Sequence, residues 1–269
     1  MDGAEGSIDQ LIQIVARLRA PDGCPWDREQ TLDSIKSGMI EEAYEALDAI
    51  ESGDRSALKE ELGDLLLQVV FQAQICREEG AFSFSEVAEG VSEKLVRRHP
   101  HVFGEVQVSG TDEVLQNWDA IKKSEKKGTS GAPSSVVDGI PAHLPALLKA
   151  YQVQKRAARA GFDWKKKEDV LDKLQEELDE LREAVSGGKE TEIRDELGDL
   201  LFSVVNISRF LGHDPEELLR KNIQKFIRRF QQVEKMVHES GRSFKEFSLA
   251  ELDEFWEKAK KEESGILLR

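Results

Sequence analysis

Acidic side chains recur at a regular spacing in one segment of this chain. They form two pairs with members three residues apart, Glu42 with Glu45 and Glu61 with Asp64. Residues at i and i+3 share one face of a helix, so each pair would project from a single helical face. Carboxylates that share a face repel each other unless a cation neutralises them, and Mg²⁺ prefers oxygen ligands. The segment therefore predicts a site for a hard divalent metal ion.

A second segment repeats this pattern 135 residues further along the chain. Its carboxylates are Glu177, Glu180, Glu196 and Asp199. In a chain with 34% charged residues, one Glu-rich helix is more often a solvated face than a ligand set. Repetition at a fixed spacing beside a strongly apolar run favours a metal–carboxylate site in each copy. Gly63 and Gly198 lie between ligand positions, where the missing side chain would let another helix, a metal ion or a phosphate group approach closely.

The segments that carry the carboxylates have helical periodicity. Apolar residues after each ELGD string recur at i, i+3, i+4 and i+7. Ser-Gly-Asp at 52–54 and Ser-Gly-Gly at 186–188 interrupt the pattern and separate two helices in each copy. We expect each half to open with a helical hairpin that brings its carboxylates together, followed by more helix. Residues 104–110 could form a short extended piece, but no convincing strand is found, and the predicted fold is an all-α bundle.

Three blocks match between the two halves in the same order. Downstream of the carboxylate segments, KLVRRH at 94–99 resembles KFIRRF at 225–230, and NWDAIKK at 117–123 resembles FWEKAKK at 255–261. A chance match of one helix would not preserve this order, so the sequence indicates duplication of a whole domain.

The two copies are separated by a segment rich in Gly, Ser and Lys. We predict that residues 124–136 form a flexible linker. The chain then has an N-terminal domain at 1–123 and a C-terminal domain at 137–269, both of the same helical-bundle type.

Composition limits the classes of partner. The net charge of −15 and the pI near 4.9 argue against a nucleic-acid-binding protein, which normally carries a basic stripe. No apolar stretch approaches the roughly 20 residues of a membrane span, and the acidic N-terminus lacks a signal-peptide pattern. Two cysteines, Cys24 and Cys76, are too few for a disulfide framework and favour a reducing, cytoplasmic setting.

A metal site that handles a phosphate ester would also need cationic side chains near the phosphates. The candidate nucleotide-binding residues are Lys173, Asn206, Lys225, Arg229, Trp256 and Lys260. The basic pair at 225 and 229 shares a helical face, and so do the indole and the lysine at 256 and 260. We expect the six side chains to converge on a nucleotide, although a solvated basic face and core packing of the indole are equally consistent with these positions.

The string EExxE followed by ELGD, within a helical hairpin, resembles the MazG family of nucleoside triphosphate pyrophosphohydrolases. The stretch GCPWDREQT at 23–31 is similar to the N-terminal signature of that family. The resemblance covers nearly the whole chain and implies an all-α NTP pyrophosphatase fold assembled as a homodimer. It also implies Mg²⁺-dependent hydrolysis of (d)NTPs to the monophosphate and pyrophosphate, with water attacking the α-phosphorus and Mn²⁺ as an alternative ion. The implied role is nucleotide-pool housecleaning or stress-related nucleotide control.

The resemblance also implies roles for individual side chains. The four second-copy carboxylates would hold the metal ions, with the four first-copy carboxylates as their counterparts. Glu176, the first Glu of EExxE, would activate the attacking water, and Glu41 is its counterpart in the first copy. The implied nucleotide contacts are Lys173, Lys225, Arg229, Trp256 and Lys260.

The two copies differ at positions that matter for this chemistry. Gly38 stands where the second copy has Lys173, and Phe71 stands where it has Asn206. Leu32 also stands where the family signature usually carries His. Proteins similar to this one often rely on the C-terminal copy for activity. We therefore expect the main site in the second domain, and a weaker, differently selective or regulatory first domain.

Two other functions are conceivable for a carboxylate-rich helical bundle. A di-iron carboxylate bundle would need Glu-x-x-His pairs, and none of the five histidines lies three residues after a clustered carboxylate. The other alternative is a helical scaffold or nucleotide sensor that binds without turnover. The substitutions in the first copy favour this alternative for the N-terminal domain alone.

Overall fold

The structure, a computed structural model, describes residues 4–127 and 135–266. The chain divides into two compact units, Met1–Gly131 (unit 1) and Ala132–Arg269 (unit 2). Every regular element within the described ranges is a helix, which confirms the predicted all-α class and its tandem arrangement.

Unit 1 is built from seven helices in its described part. They are α1 (Ala4–Leu18), α2 (Pro25–Glu29), α3 (Leu32–Ser52), α4 (Arg55–Glu78), α5 (Phe84–Arg98), α6 (Pro100–Phe103) and α7 (Thr111–Lys127).

Unit 2 has five α-helices and one 3₁₀ turn in its described part. They are α8 (Ala146–Arg159), α9 (Lys167–Gly187), α10 (Glu190–Phe210), α11 (Pro215–Glu239), the 3₁₀ turn Phe244–Glu246 and α12 (Leu249–Ile266).

The first carboxylate segment forms the hairpin of α3 and α4. Gly53 ends α3 with φ of 74°, a left-handed conformation that favours glycine. Asp54 begins α4, because its Oδ1 accepts hydrogen bonds from the amides of Ser56 at 2.8 Å and Ala57 at 3.1 Å. The Ser-Gly-Asp string therefore stops one helix and starts the next, as the sequence predicts.

The second carboxylate segment forms the matching hairpin of α9 and α10. Gly188 ends α9 with φ of 68°, in the same left-handed conformation as its counterpart in unit 1. Glu190 and Glu192 lie in the first turn of α10, where negative charge complements the helix dipole. Both hairpins thus turn at the glycine that the sequence marks.

A further helix packs against each hairpin. In unit 1, the fully buried Val15 of α1 packs with Val70, Phe71 and Ile75 of α4. In unit 2, Gln154 of α8 donates a hydrogen bond to a backbone carbonyl of α10 at 2.9 Å. The expectation that each half opens with the hairpin is therefore wrong, because α1 and α8 precede it and cover part of its apolar face.

The C-terminal helices of unit 2 form a second core. Val233 and Val237 of α11 pack against Ala259 of α12, and all three are at most 4% exposed. Phe244 and Phe247, at the 3₁₀ turn, close this core between the two helices. Burying each valine contributes about 1.5 kcal/mol or more.

Large apolar side chains remain exposed on both hairpins. Ile40 of α3 is 57% exposed and Leu62 of α4 is 51% exposed. On the hairpin of unit 2, Leu201 is 60% exposed and the neighbouring Phe202 is 46% exposed. Apolar surface of this extent commonly marks an interaction face.

Three further predictions can be compared with the structure. Residues 124–127 of the predicted linker continue α7, while 128–134 lie outside the described residues. Residues 104–110 form bends at 104–105 and 109–110 with irregular chain between them, and no strand. None of the helices described here is long and apolar enough to cross a membrane.

Candidate metal centre

Three carboxylates of unit 2 meet where α9 packs on α10. Glu177 projects from α9, and Glu196 and Asp199 project from α10. One oxygen from each of the three lies within 4.8 Å of the other two. Glu177 is buried, Glu196 is half-buried and Asp199 is exposed, so the cluster extends from the inside of the hairpin to its surface. An ion held here would keep one side open to water or substrate.

Unit 1 contains the same arrangement. Glu42 of α3 lies opposite Glu61 and Asp64 of α4, again with one oxygen from each within 4.8 Å of the others. The two hairpins therefore place equivalent carboxylates together, as the repeated spacing predicts. Each donor set consists only of carboxylate oxygens, which fits Mg²⁺ or Mn²⁺ better than softer metals.

The fourth carboxylate of each predicted set lies beside the three-oxygen cluster and is not part of it. Glu180 is nevertheless close enough to act on Glu196, whose pKa is raised above 4.5 by desolvation first and by Glu180 next. In unit 1, desolvation and then Glu45 raise the pKa of Glu61 in the same way. Each cluster therefore carries charge repulsion that a bound cation would relieve.

Lys173 pairs with two carboxylates of its own helix. Its Nζ donates to Oε1 of Glu176 at 2.8 Å and lies 2.8 Å from Oε1 of Glu177. Both contacts raise the pKa of Lys173 above its ordinary value, and the hydrogen bond to Glu176 has the larger effect. Lys173 thus places a cation next to the cluster of unit 2 and holds Glu176 beside the buried carboxylate of Glu177.

Unit 1 replaces this lysine with an amide from the other helix. Gly38 stands at the position of Lys173, and a Cβ placed there would lie 2.8 Å from Nε2 of Gln68. The Gln68 amide hydrogen-bonds Glu42, the counterpart of Glu177. In unit 2 the position of Gln68 is taken by the smaller Ser203. The buried carboxylate therefore has a charged partner, Lys173, in unit 2 and a neutral partner, Gln68, in unit 1.

Arg229 contacts the predicted base-stacking residue. Its guanidinium carbon lies 6.0 Å from the centroid of the Trp256 ring, and its Nε donates to Oε2 of Glu263 at 2.6 Å. Arg228 donates to the other oxygen of Glu263 at 3.1 Å. The side-chain pair of Arg229 and Trp256 thus lies between α11 and α12.

The same group recurs in unit 1. Arg98 lies 5.8 Å from the centroid of the Trp118 ring, and both Arg97 and Arg98 donate to Glu125. The sequence comparison missed Glu125 and Glu263. Each of them lies two residues beyond its matched block, in KKSE and KKEE, and extending the block would have found them.

The other predicted nucleotide contacts occupy different surroundings. Lys225 is exposed on α11. Lys260 is half-buried and forms an ion pair with Glu257. Trp256 also packs into the core beside Phe226, with ring centroids 5.1 Å apart. Convergence of these side chains with the carboxylates of α9 and α10 on one ligand stays a prediction.

Asn206 is held by a neighbour that the sequence comparison missed. Its Oδ1 accepts hydrogen bonds from Nε of Arg209 at 3.2 Å and from a terminal nitrogen of Arg209 at 2.9 Å. Arg209 is paired with Asp163, which precedes α9. In unit 1 the equivalent of Asn206 is Phe71, which is buried in the core.

The glycines of the two ELGD strings face open space on the surface of their hairpins. Apart from the backbone of its own helix, a Cβ placed at Gly63 or Gly198 would meet no heavy atom of the described residues within 4 Å. No neighbouring helix of the described part therefore packs against either glycine, and close approach of a metal ion or a phosphate group stays a prediction.

The fold and the site together define a tandem all-α protein with one carboxylate cluster in each unit. The chain belongs to the MazG family, because the MazG nucleotide pyrophosphohydrolase domain matches it twice, at residues 30–103 and 165–234. These ranges contain both clusters. The family and the duplication predicted from sequence are confirmed, and the chain is a hydrolase that acts on phosphoanhydride bonds.

Relatives match the chain over nearly its whole length. It is 46% identical over 253 residues to the nucleoside triphosphate pyrophosphohydrolase/pyrophosphatase MazG of Thermotoga maritima, covering 94% of this chain and 95% of that one. It is 45% identical over 264 residues to the nucleoside triphosphate pyrophosphohydrolase of Escherichia coli K12, covering 96% and 99%. A crystal structure of a MazG-related protein from Thermotoga maritima matches 43% of this chain and 98% of that chain, with 24% identity and a TM-score of 0.38.

Proposed function

We propose that the chain hydrolyses nucleoside triphosphates and deoxynucleoside triphosphates to the monophosphate and pyrophosphate, with Mg²⁺ as cofactor and unit 2 as the main site. The observation that carries this proposal is the meeting of Glu177, Glu196 and Asp199 beside Lys173. The relatives named for nucleoside triphosphate pyrophosphohydrolysis support the substrate class.

The carboxylates of unit 2 would hold the metal, with Glu180 adding charge at the rim. Bound Mg²⁺ supplies neutralisation of phosphate charge and orientation of the phosphorus under attack. Lys173 lies at the cluster with its ammonium directed at two carboxylates, so it can contact a phosphate oxygen that reaches the same place. The remaining predicted cations, Lys225, Arg229 and Lys260, would contact the rest of the nucleotide.

Glu176 is the residue we assign to proton transfer. It adjoins Glu177 in sequence, is exposed on α9 and lies within hydrogen-bonding distance of Lys173. A water held beside the cluster would give a proton to the Glu176 carboxylate as its oxygen attacks the α-phosphorus. Glu41 holds the same position in unit 1.

Unit 1 has a second candidate function, favoured by its altered cluster. Its three carboxylates match those of unit 2. Gly38 stands in place of Lys173, however, with the Gln68 amide next to it, and Phe71 stands in place of Asn206. We propose that unit 1 binds a metal or nucleotide weakly or with different selectivity, as a regulatory unit without turnover.

The proposal also includes assembly as a homodimer and a role in the cytoplasm. Exposed apolar side chains on the hairpins, such as Ile40 and Leu201, would be covered in a homodimer. Free Cys24 and Cys76 fit a reducing cytoplasm, where the enzyme would act in nucleotide-pool housecleaning or stress-related nucleotide control.

The products and the point of attack test this function. The purified chain is incubated with a single NTP and Mg²⁺ in ¹⁸O-labelled water, and the products are resolved by mass. We expect the monophosphate and pyrophosphate, with the label in the monophosphate. Release of the diphosphate with orthophosphate, or label in pyrophosphate, would contradict the proposal.

A further inference from the structure

Asp163, Arg209 and Asn206 form a continuous hydrogen-bonded chain in unit 2. Two terminal nitrogens of Arg209 donate to the two oxygens of Asp163, at 3.0 and 2.6 Å. Its Nε and one terminal nitrogen donate to Oδ1 of Asn206, at 3.2 and 2.9 Å. The side chain of Arg209 is only 10% exposed, so these contacts are shielded from water on one side. Such a bidentate arginine–carboxylate pair is geometrically well defined.

The contact with Arg209 fixes which way the Asn206 amide points. A guanidinium has donors and no acceptor, so only Oδ1 of Asn206 can face it favourably. Rotating the amide would bring two donors together and break both hydrogen bonds. The Nδ2 amino group therefore faces away from Arg209, and no acceptor within residues 4–127 and 135–266 is hydrogen-bonded to it. Asn206 is held as a donor.

The Asn206 donor lies at a distance from the carboxylate cluster that suits the nucleoside part of a substrate. Asn206 follows Asp199 by seven residues, so both side chains lie on one face of α10, about 10 Å apart along its axis. That separation is too large for Asn206 to share a metal ion with Asp199. If the cluster holds the phosphates through a metal ion, a donor about 10 Å further along α10 would meet the nucleoside part, whose acceptors are uncharged sugar or base oxygens and ring nitrogens.

All three members change together in unit 1. Phe71 replaces Asn206 and Gln74 replaces Arg209, at the same offset of 135. Alignment of GCPWD at 23–27 with GFDWK at 161–165 places Pro25 opposite Asp163. The loss of the amide thus coincides with the loss of the groups that hold it, while the carboxylate cluster is kept.

Unit 1 uses the space for packing instead. Gln74 donates to Glu78 at 2.7 Å, and Arg19 pairs with Glu78 while lying 5.3 Å from the centroid of the Phe71 ring. These contacts stabilise the helices around a buried phenylalanine and present no donor at the position of Asn206. The contrast indicates that the hydrogen-bonded residues Asp163, Arg209 and Asn206 of unit 2 do more than pack helices together.

We propose that Asp163 and Arg209 are positioning residues that fix the Asn206 amide as a hydrogen-bond donor to an uncharged acceptor on the nucleoside part of the substrate. This inference rests on the proposed function, because it takes the ligand of unit 2 to be a nucleotide. It assigns unit 2 a contact for the nucleoside that unit 1 lacks.

Binding measurements on the full chain test the inference without turnover. Calorimetry with Mg²⁺ compares an NTP analogue carrying a methylene group between the α- and β-phosphorus with inorganic triphosphate, which has no nucleoside. We expect Asn206→Ala to weaken binding of the analogue about tenfold and Asp163→Asn about fivefold, since one hydrogen bond contributes about 1 kcal/mol. Binding of inorganic triphosphate is expected to change less than twofold.

The double variant separates positioning from general damage. Asp163→Asn combined with Asn206→Ala should weaken binding of the analogue no more than Asn206→Ala alone, because Asp163 acts only through the amide. Asn206→Asp keeps a partner for Arg209 and protects the fold while removing the donor, and it should lose affinity for the analogue only. Glu190→Gln, which breaks an exposed ion pair with Arg194 on the same helix, serves as the matched control and should change neither affinity.

Additive losses, equal losses for the analogue and for inorganic triphosphate, or full affinity of Asn206→Asp for the analogue would overturn the inference. Failure of the proposed function has a different signature, namely a wild-type chain that binds the analogue but releases no monophosphate and pyrophosphate from NTP.

Discussion

Nζ of Lys173 lies 2.8 Å from Oε1 of Glu177, so the buried carboxylate of the unit 2 cluster is paired with a cation from its own helix. In unit 1, Gly38 takes the place of the lysine, so helix α3, which is described in full, offers Glu42 no equivalent partner. In unit 2 the ammonium offsets part of the charge repulsion and would contact a substrate phosphate. These two tasks can be separated by experiment.

Lys173→Met should lower both stability and activity. Without the ammonium, Glu177 is left as a buried, unpaired carboxylate, so the metal-free melting temperature should fall and Mg²⁺ should restore part of it. We expect kcat/KM for NTP to drop at least tenfold, because a cation near the phosphates is lost. Differential scanning fluorimetry and steady-state kinetics measure the two effects. Unchanged kcat/KM would remove Lys173 from the site.

The reciprocal exchange in unit 1 makes a second prediction. Gly38→Lys alone should gain less stability than the loss of a mid-helix glycine would give, because the new side chain must displace the Gln68 amide, 2.8 Å from the Cβ position, and so breaks its hydrogen bond to Glu42. Gly38→Lys with Gln68→Ser copies the arrangement of unit 2 and should have the higher melting temperature of the two variants. Equal stability of the single and double variants would contradict the assigned contact.

The hairpins and the clusters could be predicted from the sequence because their causes are local. Helical periodicity, the turn glycines and the spacing of carboxylates all lie within one segment, and an antiparallel hairpin then brings Glu177 opposite Glu196. Which of the four carboxylates supply an oxygen to the cluster could not be predicted from spacing, because Glu196 and Asp199 are three residues apart and both belong to it, whereas Glu180, three residues after Glu177, lies beside it.

The partners of the site residues could not be predicted in the same way. Asp163 reaches Arg209 across 46 residues, and Arg229 reaches Glu263 across 34. Such contacts depend on how α8 to α12 pack, which periodicity does not specify. The helices that cover each hairpin, α1 and α8, were missed for the same reason, because their effect is tertiary packing rather than a local signal.

Metal binding should stabilise the folded chain. A ligand that binds only the native state adds about 2.7 kcal/mol at a concentration of 100 Kd. We expect Mg²⁺ to raise the melting temperature, and EDTA to reverse the rise. The increase should shrink in Glu196→Gln and disappear in Glu61→Gln combined with Glu196→Gln, while Glu192→Gln, outside the clusters, should keep it in full. An undiminished increase in the double variant would place the ion elsewhere.

The pH dependence of unit 1 stability should reveal the ion pairs of Glu125. Arg98 first, and then Arg97, hold the pKa of Glu125 down to about 2. Because this folded value lies below the ordinary 4.5, the carboxylate stabilises the fold above pH 4.5, and the contribution is lost as pH falls towards 2. Glu125→Gln should therefore lower the melting temperature at pH 7, with a difference that shrinks between pH 4.5 and 2.

An exposed carboxylate on α5 provides the control for this titration. Glu93→Gln should leave the melting temperature close to that of the wild type across the same pH range. If the difference between Glu125→Gln and the wild type were the same at pH 7 and pH 2, the ion pairs would not be the cause.

The matched pair Asp199→Asn and Asp64→Asn tests the central claim most directly. Each change removes one ligand charge from one cluster and preserves its shape. With NTP and Mg²⁺, we expect Asp199→Asn to reduce release of monophosphate and pyrophosphate at least a hundredfold, and Asp64→Asn to retain at least half of it. Full activity of Asp199→Asn, or loss of activity in Asp64→Asn alone, would contradict the account.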